Sequence, residues 1–229
     1  MEILQNGYTL ELCQGAFPLS TDSMALAHFA KLGKNAKVLD LGSGCGTLGL
    51  LLCAKDPACQ VTGVELSEDA HNMALENIHR NGLDCRMASI CADLRSIPQT
   101  LPASSFSVCI SNPPYFVGGA LRPGQENARH EMQCSLEDVF TAAAWATKYG
   151  GYFYLVHKPQ RLEEMLALSS RMGFACKRLC LLRHSPDTLP DVALLAFRKG
   201  GKPGLTLEEI CLRDALGEFS QAYREIYHI

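Results

Sequence analysis

Four consecutive residues, Asn112, Pro113, Pro114 and Tyr115, have groups suited to one chemical task. An exocyclic amine on a nucleobase, or a side-chain carboxamide, is a poor nucleophile because its nitrogen lone pair is delocalised into the neighbouring π system. The Asn112 side-chain oxygen and the Pro113 carbonyl can each accept one N–H, which leaves the nitrogen pyramidal with its lone pair free. The prolines restrict the backbone, and the Tyr115 ring offers a surface on which a planar substrate stacks. The motif therefore indicates methyl transfer to an amino nitrogen, although the same residues also form a good turn.

A glycine-rich run, Asp-Leu-Gly-Ser-Gly-Cys-Gly at residues 40–46, follows a short apolar segment. Gly42, Gly44 and Gly46 let the backbone turn sharply and approach a ligand without a Cβ in the way. A dinucleotide-binding loop uses a similar turn but places a diphosphate at the helix N-terminus. The Asp40 carboxylate repels a diphosphate and suits a cation. The run therefore indicates S-adenosylmethionine, whose sulfonium and amino groups are positively charged.

Two further acidic residues end the strands predicted after the glycine run. Glu65 ends the second strand, where a carboxylate can bind both ribose hydroxyls. Asp93 follows the third strand, where it can accept the adenine amino group. Each acid alone is more often a solvated strand end or a helix cap. Because Asp40, Glu65 and Asp93 stand at successive strand ends, together they predict one cofactor site.

Short apolar runs alternate with helical patterns from residue 37 onward, which is typical of a doubly wound α/β domain. We expect a mostly parallel, seven-stranded sheet of the Rossmann-like type with a C-terminal antiparallel hairpin. The predicted strands are residues 37–41, 60–65, 86–91, 106–111, 152–157, 175–182 and 192–197, and the predicted helices between them are residues 46–55, 68–81, 135–148 and 160–172. The residue 112–115 motif then lies at the carboxyl end of a strand, where open parallel sheets bind ligands.

The remaining segments flank this predicted domain, which spans residues 34–204. Residues 1–33 form an N-terminal extension, with a hairpin that turns at Asn6-Gly7 and a helix over 23–31. Residues 205–229 predict a C-terminal helical segment, because Thr206 and Glu209 have the spacing of a capping box. The polar stretch 116–134 has no clear period, which indicates a mobile loop over the site.

Composition narrows the class of protein. The 229 residues are 47% hydrophobic, with no apolar run near the roughly 20 residues of a membrane span and no signal peptide, so we expect a cytoplasmic location without membrane association. Eleven cysteines without a CxxC pair predict buried, reduced thiols and no metal site. The net charge of −3 argues against a strongly basic nucleic-acid binder. Residues 151–204 nevertheless carry a net charge of +5. These basic residues could bind phosphates or belong to an ordinary solvated surface.

Taken together, these motifs resemble the class I S-adenosylmethionine-dependent amino methyltransferases. The similarity is strongest to the bacterial tRNA adenine-N6 methyltransferase family, which modifies valine tRNA beside the anticodon. The segments that carry the resemblance are the glycine run, Val64-Glu65-Leu66, Ala92-Asp93-Leu94, the residue 112–115 motif, Ser20-Thr21-Asp22-Ser23 and Ala128-Arg129-His130-Glu131. The resemblance implies a tRNA partner.

The resemblance also implies roles for individual residues. Asn112 and Pro113, positioned by Pro114, would hold the adenine amino group, and Tyr115 would stack on the base. The residues implied to hold the cofactor are Thr21, Asp22, Asp40, Gly42, Gly44, Gly46, Glu65, Leu66, Asp93, Leu94 and Asn112. Phe116 and Arg129 would contact RNA, with a loop-anchoring ion pair as an equal alternative for Arg129.

Three alternatives remain open at this point. Protein glutamine N5-methyltransferases share the motif because a carboxamide presents the same delocalised lone pair, but they resemble this chain only after an N-terminal helical domain. Ribosomal RNA guanine-N2 methyltransferases commonly carry a duplicated domain that 229 residues cannot hold. An inactive cofactor-binding or RNA-binding module would not need both an intact Asn112 and an intact glycine run.

Overall fold

A computed structural model describes residues 1–115 and 134–228 as a layered α/β protein. Its strands are β1 (Glu2–Ile3), β2 (Thr9–Leu10), β3 (Lys37–Leu41), β4 (Gln60–Glu65), β5 (Met87–Cys91), β6 (Phe106–Ser111), β7 (Thr147–His157), β8 (Phe174–Arg183), β9 (Val192–Lys199) and β10 (Thr206–Cys211). Its described α-helices are α1 (Thr21–Phe29), α2 (Thr47–Lys55), α3 (Glu68–Arg80), α4 (Ile97–Thr100), α5 (Leu136–Ala146), α6 (Leu162–Arg171) and α7 (Gln221–Tyr227). Phe116, Arg129 and most of the expected loop lie outside the described residues.

The main sheet has the strand order β10-β8-β9-β7-β6-β3-β4-β5. Every neighbouring pair is parallel except the two that involve β9, which runs antiparallel to both β7 and β8. The predicted fold class, a mostly parallel Rossmann-like sheet with an antiparallel hairpin, is therefore confirmed. The hairpin predicted at the N-terminus is also present, since β1 and β2 pair antiparallel around Asn6 and Gly7.

The sheet has eight strands rather than seven, and the difference lies in the C-terminal segment. The prediction that a helix begins at Thr206 is wrong, because β10 pairs parallel with β8 along its whole length. Glu208 forms an ion pair with Arg178 of β8, with an Oε1–Nε distance of 2.8 Å. The local capping pattern of Thr206 and Glu209 therefore yields to pairing with a distant strand, and the terminal helix α7 begins only at Gln221.

Two apolar cores lie on opposite faces of the sheet. Helices α1, α2 and α3 pack on one face through residues such as Leu26, Leu50 and Ile78. Helices α5 and α6 pack on the other face through residues such as Phe140 and Met165. Burial of both sheet faces explains the continuous apolar runs of the central strands. None of the described helices is both long and apolar enough to cross a membrane.

Asn77 connects three parts of the fold from a fully buried position on α3. Its Oδ1 accepts a hydrogen bond from the Glu11 N–H at 2.9 Å, and its Nδ2 donates to the Glu11 carbonyl at 2.8 Å and to the Cys45 carbonyl at 3.0 Å. The side chain thereby joins the N-terminal extension to the glycine-rich loop. Without it, the buried Cys45 carbonyl and the partly buried backbone groups of Glu11 would lose these hydrogen bonds.

We expect Asn77→Ala to lower the free energy of unfolding by about 2–3 kcal/mol, because truncation leaves buried polar groups unsatisfied. The measurement is the urea unfolding midpoint at neutral pH. Asn72→Ala is the matched control, since Asn72 lies on the same helix but is exposed. Equal midpoints for the two variants would contradict the role assigned to Asn77.

Candidate active site

The registers of neighbouring strands bring the motif residues to one edge of the sheet. Asp40 of β3 pairs with Ile110 of β6 on one side and with Gly63 of β4 on the other. Asn112 and Glu65 each follow their paired residue by two positions. Because these strands are parallel, Asp40, Asn112 and Glu65 meet at the carboxyl edge, where ligands bind in open α/β sheets.

Asn112 is held by two side chains. Its Nδ2 donates a hydrogen bond to Ser23 Oγ at 2.9 Å, and its Oδ1 accepts one from the Tyr115 hydroxyl at 2.9 Å. Ser23 is buried in α1 and has no other role in the predictions made from sequence. The bond from Nδ2 to Ser23 fixes the orientation of the carboxamide, and its oxygen has a second lone pair for another N–H donor. Asn112 can therefore accept an amino proton in a fixed orientation.

Tyr115 lies in a largely apolar setting beside the end of β7. Its ring meets the His157 ring edge-on at a centroid distance of 5.1 Å, and Lys158 Nζ lies 5.2 Å from its centroid. Burial, with the nearby carboxylates of Asp22 and Asp191, raises the pKa of the Tyr115 phenol. The phenol thus stays protonated and able to donate to Asn112.

His157 is a neutral group in this setting. It is 1% exposed, and burial lowers its pKa to about 4. Its Nδ1 accepts the Lys158 backbone N–H at 2.8 Å, so the ring proton resides on Nε2. At neutral pH His157 adds bulk and an N–H donor but no charge beside Tyr115.

The glycine-rich loop is open on its ligand side. Gly42 and Gly44 have φ angles of +72° and +55°, which L residues with a Cβ rarely adopt. A Cβ added at either position would project into open space with no atom within 4 Å. The Gly44 N–H donates to Glu65 Oε2 at 2.8 Å, and the Ser67 N–H donates to Oε1 at 2.8 Å. Glu65 is thus oriented toward the loop by two backbone donors.

Asp40 is a buried carboxylate without compensation. It is 1% exposed, and neither carboxylate oxygen has a hydrogen-bond partner of ordinary geometry in the described part of the chain. Burial and then the Glu65 carboxylate raise its pKa to about 8, opposed only in part by the Gly49 backbone N–H. A cationic ligand bound beside Asp40 would stabilise its ionised, carboxylate form. The open glycine turn and two facing carboxylates therefore fit S-adenosylmethionine.

Asp93 follows β5 as predicted, but its carboxylate is engaged by Arg95. Its Oδ1 accepts from the Arg95 backbone N–H at 2.8 Å and from Nε at 3.0 Å, and Arg95 Nη2 contacts Oδ2. These hydrogen bonds lower the pKa of Asp93. Leu66 and Leu94, at the two strand ends, are 41% exposed and half-buried respectively. An adenine amino group would share Asp93 with this ion pair.

Thr21 and Asp22 lie at the start of α1, next to Ser23. The Thr21 hydroxyl forms a hydrogen bond with the Tyr227 hydroxyl at 2.6 Å, which joins α1 to α7. Asp22 faces the Tyr115 phenol. Both residues line a cavity together with β8, β9 and the segment after β10. The geometry brings them to the Tyr115 side of the site.

Sequence reasoning missed Ser23, His157 and Lys158 as neighbours of the motif. Ser23 is 89 positions from Asn112, and only the fold of α1 against the sheet brings them together. His157 and Lys158 end β7, which pairs with β6, so their proximity follows once the strand order is known. In the described ranges, 1–115 and 134–228, no three His, Cys, Asp or Glu side chains form a potential metal site.

The chain is similar to known proteins in sequence and in fold. The family model described as "Methyltransferase small domain" matches residues 20–174. A tRNA1(Val) (adenine(37)-N6)-methyltransferase of Tolumonas auensis is 31% identical over 212 residues, which cover 91% of this chain and 87% of that protein. A protein of the same name from Bacteroides fragilis is 25% identical, with 93% and 91% covered.

Among solved structures, a protein from Agrobacterium tumefaciens described as a predicted O-methyltransferase superposes with a TM-score of 0.76. It is 22% identical, and the match covers 90% of this chain and 95% of that one. At this identity the likeness concerns the fold. The central sheet and the layers of helices are therefore shared across nearly the full length of both chains.

Proposed function

The chain belongs to the methyltransferase small domain family and to the tRNA1(Val) (adenine(37)-N6)-methyltransferase family, and on this premise we propose that it methylates an adenine N6 nitrogen in tRNA. The cofactor is S-adenosylmethionine, which supplies a methyl group bound to a positively charged sulfur. The protein is an N-methyltransferase, and its substrate is an RNA. The finer assignment, adenine 37 of valine tRNA, is the name its relatives carry.

The observation that carries the proposal is the position of Asn112 relative to Asp40. The two residues follow adjacent parallel strands, with one side chain that accepts an amino proton and one that attracts a cation. In this proposal the acceptor of the amine and the binding site of the positively charged methyl donor lie side by side. This arrangement supports direct transfer from the donor to an amino nitrogen.

The chain's own groups have three tasks in this proposal. Asn112, fixed by Ser23, accepts one N–H of the target amine and draws its lone pair out of conjugation. Asp40 balances the positive charge of the cofactor from a buried position, and Glu65, oriented by two backbone N–H groups, accepts the ribose hydroxyls. Neither Asn112 nor its partners must act as a base before attack, because the amine sheds its proton to water after it has gained the methyl group.

Tyr115 and the substrate amine share, or compete for, the same acceptor on Asn112. The Tyr115 hydroxyl occupies one lone pair of Asn112 Oδ1, and an amino group takes the other or replaces the phenol. The ring is then free to pack against a planar base. A glutamine carboxamide presents the same amine but no aromatic ring system, so stacking favours the nucleobase as substrate.

The test is a methylation assay with labelled S-adenosylmethionine. Three acceptors are compared: an unmodified valine tRNA transcript, the same transcript with guanine at position 37, and a release-factor protein. We expect N6-methyladenosine in the first transcript only, identified by mass spectrometry of the digested nucleosides. Label in the release factor as N5-methylglutamine would overturn the proposal.

A further inference from the structure

A cavity of about 240 Å³ opens beside the catalytic motif. Three parts of the fold line it: the start of α1, the β8–β9 hairpin, and the segment after β10. The residues that line it are Thr21, Asp22, Leu182, His184, Asp191, Val192 and Leu212. Because β8 is parallel to β10 and antiparallel to β9, which is itself antiparallel to β7, its carboxyl end lies at the same edge of the sheet as Asn112. The cavity therefore belongs to the substrate side of the molecule.

Tyr115 interacts both with Asn112 and with two residues that line this cavity, Asp22 and Asp191. Its hydroxyl donates a hydrogen bond to Asn112, and the nearby carboxylates of Asp22 and Asp191 raise the pKa of the same hydroxyl. Lys158 lies near both Tyr115 and the lining residue Asp191, because its Nζ is 3.9 Å from Asp191 Oδ2 and 5.2 Å from the centroid of the Tyr115 ring. A ligand in the cavity would thus lie near Tyr115, the side chain that contacts Asn112.

The lining selects a particular chemistry. Leu182, Val192 and Leu212 give apolar walls, which suit a flat ring system. The carboxylates of Asp22 and Asp191 accept N–H groups and repel phosphate. A nucleobase with an exocyclic amine has both features, an apolar face and N–H donors at its edge. A phosphate would instead be attracted to the positively charged Lys158 near Tyr115.

We propose that this cavity binds the base of a nucleotide next to the methylated adenine, with Lys158 near the phosphate that joins the two. This inference rests on the proposed function, because it concerns the RNA that carries the target. In a single-stranded loop, neighbouring bases can be splayed apart and held separately. Tyr115 lies near both bases, and the neighbouring base fixes the position of the target at Asn112.

The test uses full-length valine tRNA transcripts that are intact, or abasic at position 36 or 38, the positions that flank adenine 37. For the wild-type protein, the loss of one of these bases should lower kcat/KM about tenfold, as expected for one stacked and hydrogen-bonded base. Leu212→Trp should fill the cavity. This variant should methylate the intact transcript about as slowly as the wild type methylates the abasic one, with no further loss on the abasic transcript.

Asp191→Ala is the second variant, since the Asp191 side chain is 67% exposed and its removal leaves the core intact. It should shrink the penalty of the abasic position. Leu216→Trp and Asp187→Ala are the controls, because Leu216 is 88% exposed, Asp187 is exposed, and neither residue lines the cavity. Both controls should retain the wild-type penalty.

The outcomes separate the inference from the proposed function. Wild-type protein that methylates intact and abasic transcripts equally would overturn the neighbouring-base site while leaving adenine methylation in place. An abasic penalty that persists in full in Leu212→Trp and Asp191→Ala would also overturn it. Wild-type protein that binds S-adenosylmethionine but methylates no transcript at all would instead overturn the proposed function, and the inference with it.

Discussion

Asn112→Ala should lower kcat about 100- to 1,000-fold, the effect of removing one preorganised polar group that acts on the transition state. The Asn112 Oδ1 belongs to the carboxamide whose orientation Ser23 fixes, and alanine keeps the backbone while removing that acceptor. The measurement is single-turnover methylation of valine tRNA. Binding of S-adenosylmethionine, measured by titration calorimetry, should stay within about twofold of the wild type, because Asp40 and Glu65 are unchanged and any contact of Asn112 with the cofactor is a minor part of its binding.

Ser23→Ala provides a graded companion to this variant. It removes the hydroxyl that accepts from Asn112 Nδ2 but leaves Oδ1 in place, so the acceptor is less well oriented. We expect a loss of about three- to tenfold in kcat, which is the scale of one neutral hydrogen bond. Turnover of Asn112→Ala equal to that of Ser23→Ala would show that Oδ1 does not act on the reacting amine.

The central strands could be predicted from sequence to the residue. Lys37–Leu41, Gln60–Glu65 and Phe106–Ser111 have the predicted bounds, because strands buried on both faces stand out as short continuous apolar runs between turns. Strand β7 begins at Thr147, five residues earlier than predicted. Its first part contains Gly150 and exposed polar residues, and the β6–β7 register shifts between Phe106 and Val108. The local sequence pattern therefore does not predict where β7 begins.

The eighth strand could not be predicted from local pattern. Residues of β10 are half-exposed or exposed at the edge of the sheet, so they lack an apolar run. Their strand conformation depends on pairing with β8 and on the Arg178–Glu208 ion pair, both of which join residues about thirty positions apart. The capping pattern at Thr206 was the stronger local signal, and the tertiary pairing prevailed.

Some features of the candidate site could likewise be predicted from sequence, and others could not. Asp40, Glu65 and the glycine turn could be predicted because strand ends and loop glycines are coupled along the chain. The isolation of Asp40 could not, since burial depends on how β3, β4 and α2 pack around it. The neighbours of Tyr115 on β7 likewise follow only from the strand order. The structure therefore shows the burial and the charged neighbours of residues that the sequence had already predicted to belong to the site.

Asp40→Asn should weaken S-adenosylmethionine binding on the order of 100-fold, as expected for loss of one member of a buried charge pair. The same change should stabilise the protein in the absence of cofactor. Asp40 has a pKa of about 8 in the folded protein, against an ordinary value of 3.8 for an aspartate side chain. Folding therefore keeps a proton on Asp40 that the unfolded chain releases, and stability falls as pH rises from about 4 to about 8.

The asparagine variant lacks this pH dependence, because its amide does not titrate. Its melting temperature without cofactor should exceed that of the wild type by several degrees at pH 8, because a stability difference of about 1 kcal/mol shifts the melting temperature of a chain of this size by about 2–4 °C. The difference should shrink as the pH is lowered toward 5, where Asp40 is protonated in the folded wild type. Differential scanning calorimetry across this range measures it. Equal melting temperatures at pH 8 would contradict a buried, uncompensated Asp40.

Cofactor binding should convert Asp40 from its protonated form to its ionised form. A cationic ligand favours the carboxylate, so binding to the wild type at pH 6.5 should release up to one proton, and binding to Asp40→Asn should release fewer. Titration calorimetry in two buffers of different ionisation enthalpy measures the proton count. A variant that is more stable alone, binds the cofactor more weakly and releases fewer protons would link all three properties to one carboxylate. The instability of Asp40 in the free protein would then be the counterpart of its attraction for the positively charged methyl donor.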